Sequence, residues 1–170
     1  MPDFKKEFYY RRADDSDFEQ LKALGKASYA EFSTVLTKAN WDKMNAFLNS
    51  DTGLKQRIAQ STVFVCELDS VIIGMIYLVA GGHPTTLFKA DWSYIRFLGV
   101  HPKQRGKGIG KTLTELCIAH AKDTQETHVA LHTSEFMDAA RNIYETRGFK
   151  KDKTIQYLGK TYWVYLLELD

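Results

Sequence analysis

One segment constrains this chain more than any other. Leu98-Gly99-Val100 ends a β-rich run, His101-Pro102 stops it, and Gln104-Arg105-Gly106-Lys107-Gly108-Ile109-Gly110-Lys111 leads straight into an amphipathic stretch. Three glycines in five residues let backbone N–H groups turn inward with no Cβ in the way. The helix that follows adds unpaired N–H groups and a partial positive charge at its first turn. Arg105, Lys107 and Lys111 add full positive charges. The segment reads as a strand–turn–helix built to receive a pyrophosphate. A plain glycine-rich connection is the alternative reading of the turn taken alone.

The spacing separates this turn from two better-known phosphate loops. A Walker A loop needs G-x-x-x-x-G-K-S/T; here Gly106 to Gly110, followed by Lys111-Thr112, is one residue short. A dinucleotide fingerprint needs G-x-G-x-x-G, whereas Gly106, Gly108 and Gly110 give G-x-G-x-G.

The rest of the chain alternates between the two periodicities. Glu7 to Arg12 reads as a first strand, and Ser16 with Glu19 as the capping box of a helix carrying Phe18, Leu21, Leu24 and Ser28. Asn40 and Asp51 read as two further N-caps. Thr62 to Leu68 and Val71 to Ala80 form a hairpin around Asp69-Ser70, Pro84 to Asp91 a loop, and Trp92 to Val100 the next strand. A helix from about Gly108 to Lys122, a strand from Thr127 to Thr133 and a helix from Asp138 to Thr146 follow. Gly148 ends that helix, and strands at Phe149 to Leu158 and Thr161 to Leu169 close the chain. The strand–helix–strand unit in the middle predicts two parallel neighbours joined by a right-handed crossover. The fold class expected is α/β, with one domain over residues 1–170 and no linker or repeat.

Composition excludes several function classes. A formal net charge of +2 is too small to argue for nucleic acid or an anionic membrane. The longest apolar run, Val71 to Ala80, is too short to span a bilayer. Met1 to Arg12 has no apolar h-region, so it does not read as a signal peptide. Cys66 and Cys117 each sit in an apolar run and read as small buried hydrophobes. The expectation is a cytoplasmic protein with no metal site, since His128 and His132 have no third ligand at metal spacing. His120, on the apolar helix face, reads as a core histidine.

The run Arg105-Gly106-Lys107-Gly108-Ile109-Gly110 resembles the R/Q-x-x-G-x-G/A signature of the GNAT acyltransferase superfamily. Ala140, Tyr144, Glu145, Gly148 and Phe149 are similar to its A-x-x-x-Y-E-x-x-G-F pattern, and the strand order from Glu7 to Leu169 is similar as well. The resemblance implies a mixed, mostly antiparallel sheet of about seven strands in the order β-α-α-β-β-β-α-β-α-β-β. It implies acetyl-CoA as co-substrate and a small-molecule or peptide amine as acceptor, attacked directly in a ternary complex. Residues matched to cofactor binding are Leu98, Gly99, Val100, Arg105, Gly106, Lys107, Gly108, Ile109, Gly110, Lys111, Met137 and Ala140. Met137 stands where the family often has Asn, so its contact there would come from the main chain. A main-chain N–H near Val100 would hold the oxyanion, as in the family.

A lysine-like amine has a pKa of about 10.4, so only roughly one in two thousand is neutral at pH 7, and the reaction also needs an acid for the departing thiolate. Tyr144 is the candidate acid, because a phenol is protonated at neutral pH; a core tyrosine is the competing reading. The family's strand glutamate is replaced by Tyr94, which leaves Asp91, His83, Glu67, His132, Glu135 or a chain of waters as the base. Strict alternation puts Tyr94, Arg96, Leu98 and Val100 on one strand face; if that face lines the acceptor cleft, Arg96 would hold a substrate carboxylate, and an Arg paired with a sheet or surface acid is the competing reading. Tyr29, Phe32, Trp41, Phe47 and Trp92 are candidates for the acceptor side, with the core as an equal reading for most of them, and Tyr157, Tyr162, Trp163 and Tyr165 for a homodimer surface. A non-catalytic acetyl-CoA sensor is the alternative from a second class. A nucleotide-binding protein using Gly110-Lys111-Thr112 and a nucleic-acid reader rank below it.

Overall fold

The computed structural model describes residues 7–170. The part of the N-terminal reading that concerns Met1 to Lys6 lies outside the described residues. The chain runs β1 (Tyr9–Arg12), α1 (Phe18–Tyr29), α2 (Lys38–Asn49), α3 (Asp51–Gln60), β2 (Ser61–Leu68), β3 (Val71–Val79) and β4 (Ser93–Val100). It continues through α4 (Ile109–Asp123), β5 (His128–Ser134), α5 (Asp138–Thr146), β6 (Lys150–Tyr157) and β7 (Lys160–Glu168). One seven-stranded sheet has the order β1-β2-β3-β4-β5-β7-β6. Only β4 and β5 pair in parallel; every other neighbour is antiparallel. This is the α/β architecture expected, with three helices rather than two between β1 and β2.

The helix starts differ from the sequence reading by one to three residues. The first capping box is made by Asp14 and Asp17, not by Ser16 and Glu19. Asp14 accepts from the Ser16 N–H, and Asp17 accepts from the Asp14 N–H at 2.9 Å. Arg11 fixes that choice by gripping both carboxylate oxygens of Asp17 at 2.8 Å while also reaching Glu67. The α2 cap is Thr37, which accepts from the Asn40 N–H; the α3 cap is Ser50, which accepts from the Gly53 N–H. Each hydroxyl reaches the third N–H of its helix, which leaves Asp51 in the first turn, where the helix dipole favours an acid.

The sheet separates two sets of helices. On one face Leu21, Leu24 and Leu54 pack against Val65, Met75 and Tyr77. On the other, Ile109, Leu113, Cys117 and Tyr144 pack against Ile76, Leu78 and Leu131. Cys66 and Cys117 are free and buried. The seat of α4 depends on Gly74 of β3. A Cβ there would stand 2.6 Å from Ile109 Cγ2 and 3.1 Å from Leu113 Cδ1. The missing side chain lets the start of α4 lie directly on the sheet.

β4 is not a regular strand. Tyr77 pairs with Phe97 and Leu78 with Ile95, so Arg96 is an extra, bulged residue. The expected common face of Tyr94, Arg96, Leu98 and Val100 is therefore broken. Ile95, Leu98 and Val100 pack with the α4 layer, while Tyr94 joins Phe88 and Trp92, and Phe97 joins Met75 and Tyr77. Alternation fails because a bulge changes the parity of every residue beyond it. β4 and β5 pair only through Ser93–Val129 and Tyr94–Ala130, ahead of the bulge.

The terminal hairpin does not present the aromatic surface expected of it. Tyr162 and Tyr165 are buried, and Trp163 is covered by the Lys151 ammonium at 4.1 Å and the Arg141 guanidinium at 5.0 Å. Tyr157 is the exposed member of the four. Among the described residues, no helix is long and apolar enough to cross a membrane.

Replacing Gly74 with Ala overpacks the contact between β3 and α4. Such a change costs about 1–3 kcal/mol, so thermal unfolding of Gly74→Ala should show a clearly lowered midpoint. An unchanged midpoint would mean that α4 does not need this close approach.

Candidate active site

Where β4 and β5 part, two cavities open. The first, about 500 Å³, lies between the end of β4, the start of α4 and α5. Its floor is built by the turn after β4. The His101 N–H donates to the Ile73 carbonyl at 2.8 Å, which ties the strand end to β3. Gly106 and Gly108 both have left-handed φ, +77° and +81°. Gly108 is the N-cap of α4 and supplies no side-chain cap. The first helical bond runs from the Thr112 N–H to the Gly108 carbonyl. The N–H groups ahead of it in the first turn sit beside the cavity with the dipole behind them.

Of the residues assigned to cofactor binding, all except Lys107 line this cavity. The Lys107 ammonium instead donates to the Gln104 side chain at 2.8 Å. Arg105 lines the cavity but is already engaged: it donates to Glu31 at 2.7 Å and to the Ser28 carbonyl at 2.8 Å, pinning the turn to the end of α1. That leaves Lys111 as the cation at the α4 end of the cavity not held in an ion pair among the described residues. Phe136, Asp138 and Asn142 also line it and were not singled out in the sequence. Their positions follow from how the β5–α5 connection folds back, which no local pattern marks.

The second cavity, about 260 Å³, continues on the far side of the junction. Tyr29, Leu98, Met137 and Ala140 line both spaces, so the cavities meet there. Tyr144, one helical turn beyond Ala140 on α5, lines the second. Tyr94 and Arg96 line it too, with His132 from β5 and Phe47 from α2. Lys43, Met44, Phe88, Tyr157 and Tyr162 also line it and escaped the sequence reading as members of one site. The remaining candidate residues lie elsewhere. Glu67 pairs with Arg11, Glu135 accepts from the Thr161 N–H, and Trp92 belongs to a core cluster. Phe32 lines the first cavity rather than the second. Asp91, His83 and Trp41 line neither cavity. Among the described residues, no group of three or more His, Cys, Asp or Glu side chains is gathered to hold a metal ion.

Burial sets the charge state of the junction. The Tyr144 phenol is pushed well above its usual range, by burial first and then by the neighbouring Tyr29 and Cys117. Tyr29 is raised by burial as well, and its hydroxyl donates to the Leu98 carbonyl at 3.1 Å. His132 moves the other way, lowered to about 4 by burial and then by the positive charge of Arg96. Its Nδ1 is buried and has no hydrogen-bond partner. All three shifts favour the neutral form.

Comparison with known proteins identifies a family and a fold. The family described as acetyltransferase (GNAT) matches residues 23–149. Mouse N-acetyltransferase 8B is 38% identical over 66 residues, covering 39% of this chain and 28% of that protein. The chain thus matches well under half the length of this curated relative. The paia N-acetyltransferase of Thermoplasma acidophilum, solved in complex with coenzyme A, superposes with a TM-score of 0.78 at 17% identity, covering 96% of this chain and 99% of that one. The yncA protein of Salmonella typhimurium, solved with acetyl-CoA, gives 0.71 at 16% identity, covering 96% and 94%.

The lowered basicity of His132 can be read directly. NMR titration should place its midpoint near 4, against about 6.5 for an ordinary histidine. Arg96→Ala should raise it, because a repelling charge is removed. The unfolded chain takes up this proton near pH 6.5 and the folded chain does not. This residue's contribution to stability is therefore lost as pH falls from about 6.5 towards about 4. A midpoint at or above 6.5 in the folded protein would contradict the burial.

Proposed function

The chain belongs to the GNAT acetyltransferase family, and from that membership and the paired cavities we propose an N-acetyltransferase acting over residues 1–170 as one domain. On this reading an acetyl group passes from acetyl-CoA to a primary amine by direct attack in a ternary complex. The observation that carries it is the junction at Tyr29, Leu98, Met137 and Ala140, where the cavity floored by the α4 N-terminus meets the one lined by Tyr144.

The first cavity fits coenzyme A. Left-handed Gly106 and Gly108 and the uncapped first turn of α4 present N–H groups to a pyrophosphate, with Lys111 beside them. Beyond Tyr94 the β4 edge that faces β5 has lost its strand partner. An extended arm bearing amides can pair there as an added strand does. When bound, acetyl-CoA supplies the activated acyl group; the rest is the work of this chain's side chains. The co-substrate complexes of the Thermoplasma and Salmonella proteins support the assignment.

Tyr144 holds the proton that the departing thiolate takes up. Its raised pKa does not disqualify it, because the thiolate leaves into the same apolar surroundings. The same desolvation that raises Tyr144 would raise the departing thiol, so acid and acceptor shift in one direction. Of the base candidates, His132 lines the acceptor cavity, neutral at pH 7 and with an unpartnered Nδ1. A base whose conjugate acid has a pKa near 4 is weak, so His132 serves better as a relay to water than as the final proton sink.

Thermal unfolding tests the co-substrate: acetyl-CoA and CoA should raise the midpoint, and ATP–Mg²⁺ or NAD should not. Tyr144→Phe tests the acid. Thiol release should fall by about tenfold or more, while the acetyl-CoA-induced shift stays near that of the parent protein. Unchanged turnover with chemistry rate-limiting would remove Tyr144 from the mechanism.

A further inference from the structure

We propose that the second cavity selects acceptor amines that carry a carboxylate, with an apolar or aromatic body. This rests on the acyl-transfer reading and adds the chemical class of the acceptor.

Among the described residues, the charged ones lining the cavity are Lys43 and Arg96, and no Asp or Glu lines it. Lys43 comes from α2 and Arg96 from the β4 bulge, so two separate elements converge with the same sign. Both side chains are exposed at the mouth. Neither is in an ion pair with a carboxylate among the described residues.

A third cation stands behind them. Arg57 is buried, with its guanidinium 3.8 Å from the Phe47 ring centre and 6.0 Å from that of Phe97. It is unpaired as well, and its pKa is lowered by burial and then by Arg96. The positive charge of Arg96 therefore weighs on the Arg57 guanidinium, and like charges repel one another. An anion entering at Arg96 relieves that repulsion, and a guanidinium fork matches a carboxylate in shape as well as charge. The remaining wall is largely aromatic, from Phe47, Phe88, Tyr94, Phe97, Tyr157 and Tyr162. It offers an apolar body a face to lie on. A polyamine, or a lysine within a basic peptide, would bring further positive charge to a mouth with no acid to receive it.

Thiol release from acetyl-CoA should be compared for phenylalanine, phenylalaninamide, phenethylamine and spermidine. The carboxylate member should lead in kcat/KM by about tenfold or more, the size of a charge-assisted contact. Arg96→Ala and Lys43→Ala should bring it down towards the amide. If the amide, phenethylamine or spermidine matches or exceeds phenylalanine, the proposal is overturned while acyl transfer itself stands. Should none turn over, titration of N-acetylphenylalanine and N-acetylphenylalaninamide onto the CoA-loaded protein decides. Tighter binding of the acid, lost in Arg96→Ala, supports the proposal; equal or absent binding overturns it. The acyl-transfer reading fails by a separate signal, namely no thermal shift with acetyl-CoA.

Discussion

Everything specific about this molecule depends on the parting of β4 from β5. Two residue pairs hold the strands together, Ser93–Val129 and Tyr94–Ala130, and then a single extra residue turns β4 away. An interior sheet position normally leaves no backbone group unpaired. Here the parted stretch of β4 lies beside both cavities, and one of its carbonyls, that of Leu98, is met by the Tyr29 hydroxyl. α1 and α4 pack on β4 from opposite faces, and β5 pairs fully with β7 from His128 to Ser134, so both parted strands are held by their other neighbours.

The legibility of the structure in the sequence follows the range of the forces involved. The glycine turn and α4 were readable because left-handed backbone, a strand end and a helix start are written within a dozen neighbouring residues. The parallel β4–β5 pair was readable because a right-handed crossover leaves little choice. Helix caps were displaced by one to three positions, because several competent acceptors stand side by side. At the first helix the decision lies with Arg11, which belongs to another element. The bulge at Arg96 was not readable at all. Ser93 to Val100 has the look of an uninterrupted strand, and only the register against Tyr77 and Leu78 shows the extra residue. Lys43 was invisible for a similar reason. It sits on a mostly exposed helix, and only the approach of α2 to the β6–β7 turn, where Asn40 lies close to Gly159, places it over the cavity.

On the proposed reading, the distribution of charge bears on how an amine would become reactive here. Burial keeps Tyr29, Tyr144 and His132 neutral, so the junction itself carries no charge, whereas Lys43 and Arg96 stand at the mouth. On that reading, an ammonium brought into this arrangement is desolvated and meets the positive charge of Lys43. Both effects lower its pKa. On the proposed reading, pairing of the acceptor's carboxylate with Arg96 keeps that carboxylate from stabilising its own ammonium, and desolvation beside Lys43 presses the nitrogen towards the neutral, nucleophilic form before any side chain takes a proton. The cavity's lack of a lining carboxylate is then consistent with the chemistry. An acid placed there would stabilise the ammonium and work against attack, and a weak relay such as His132 has only to pass a proton already made labile by its surroundings.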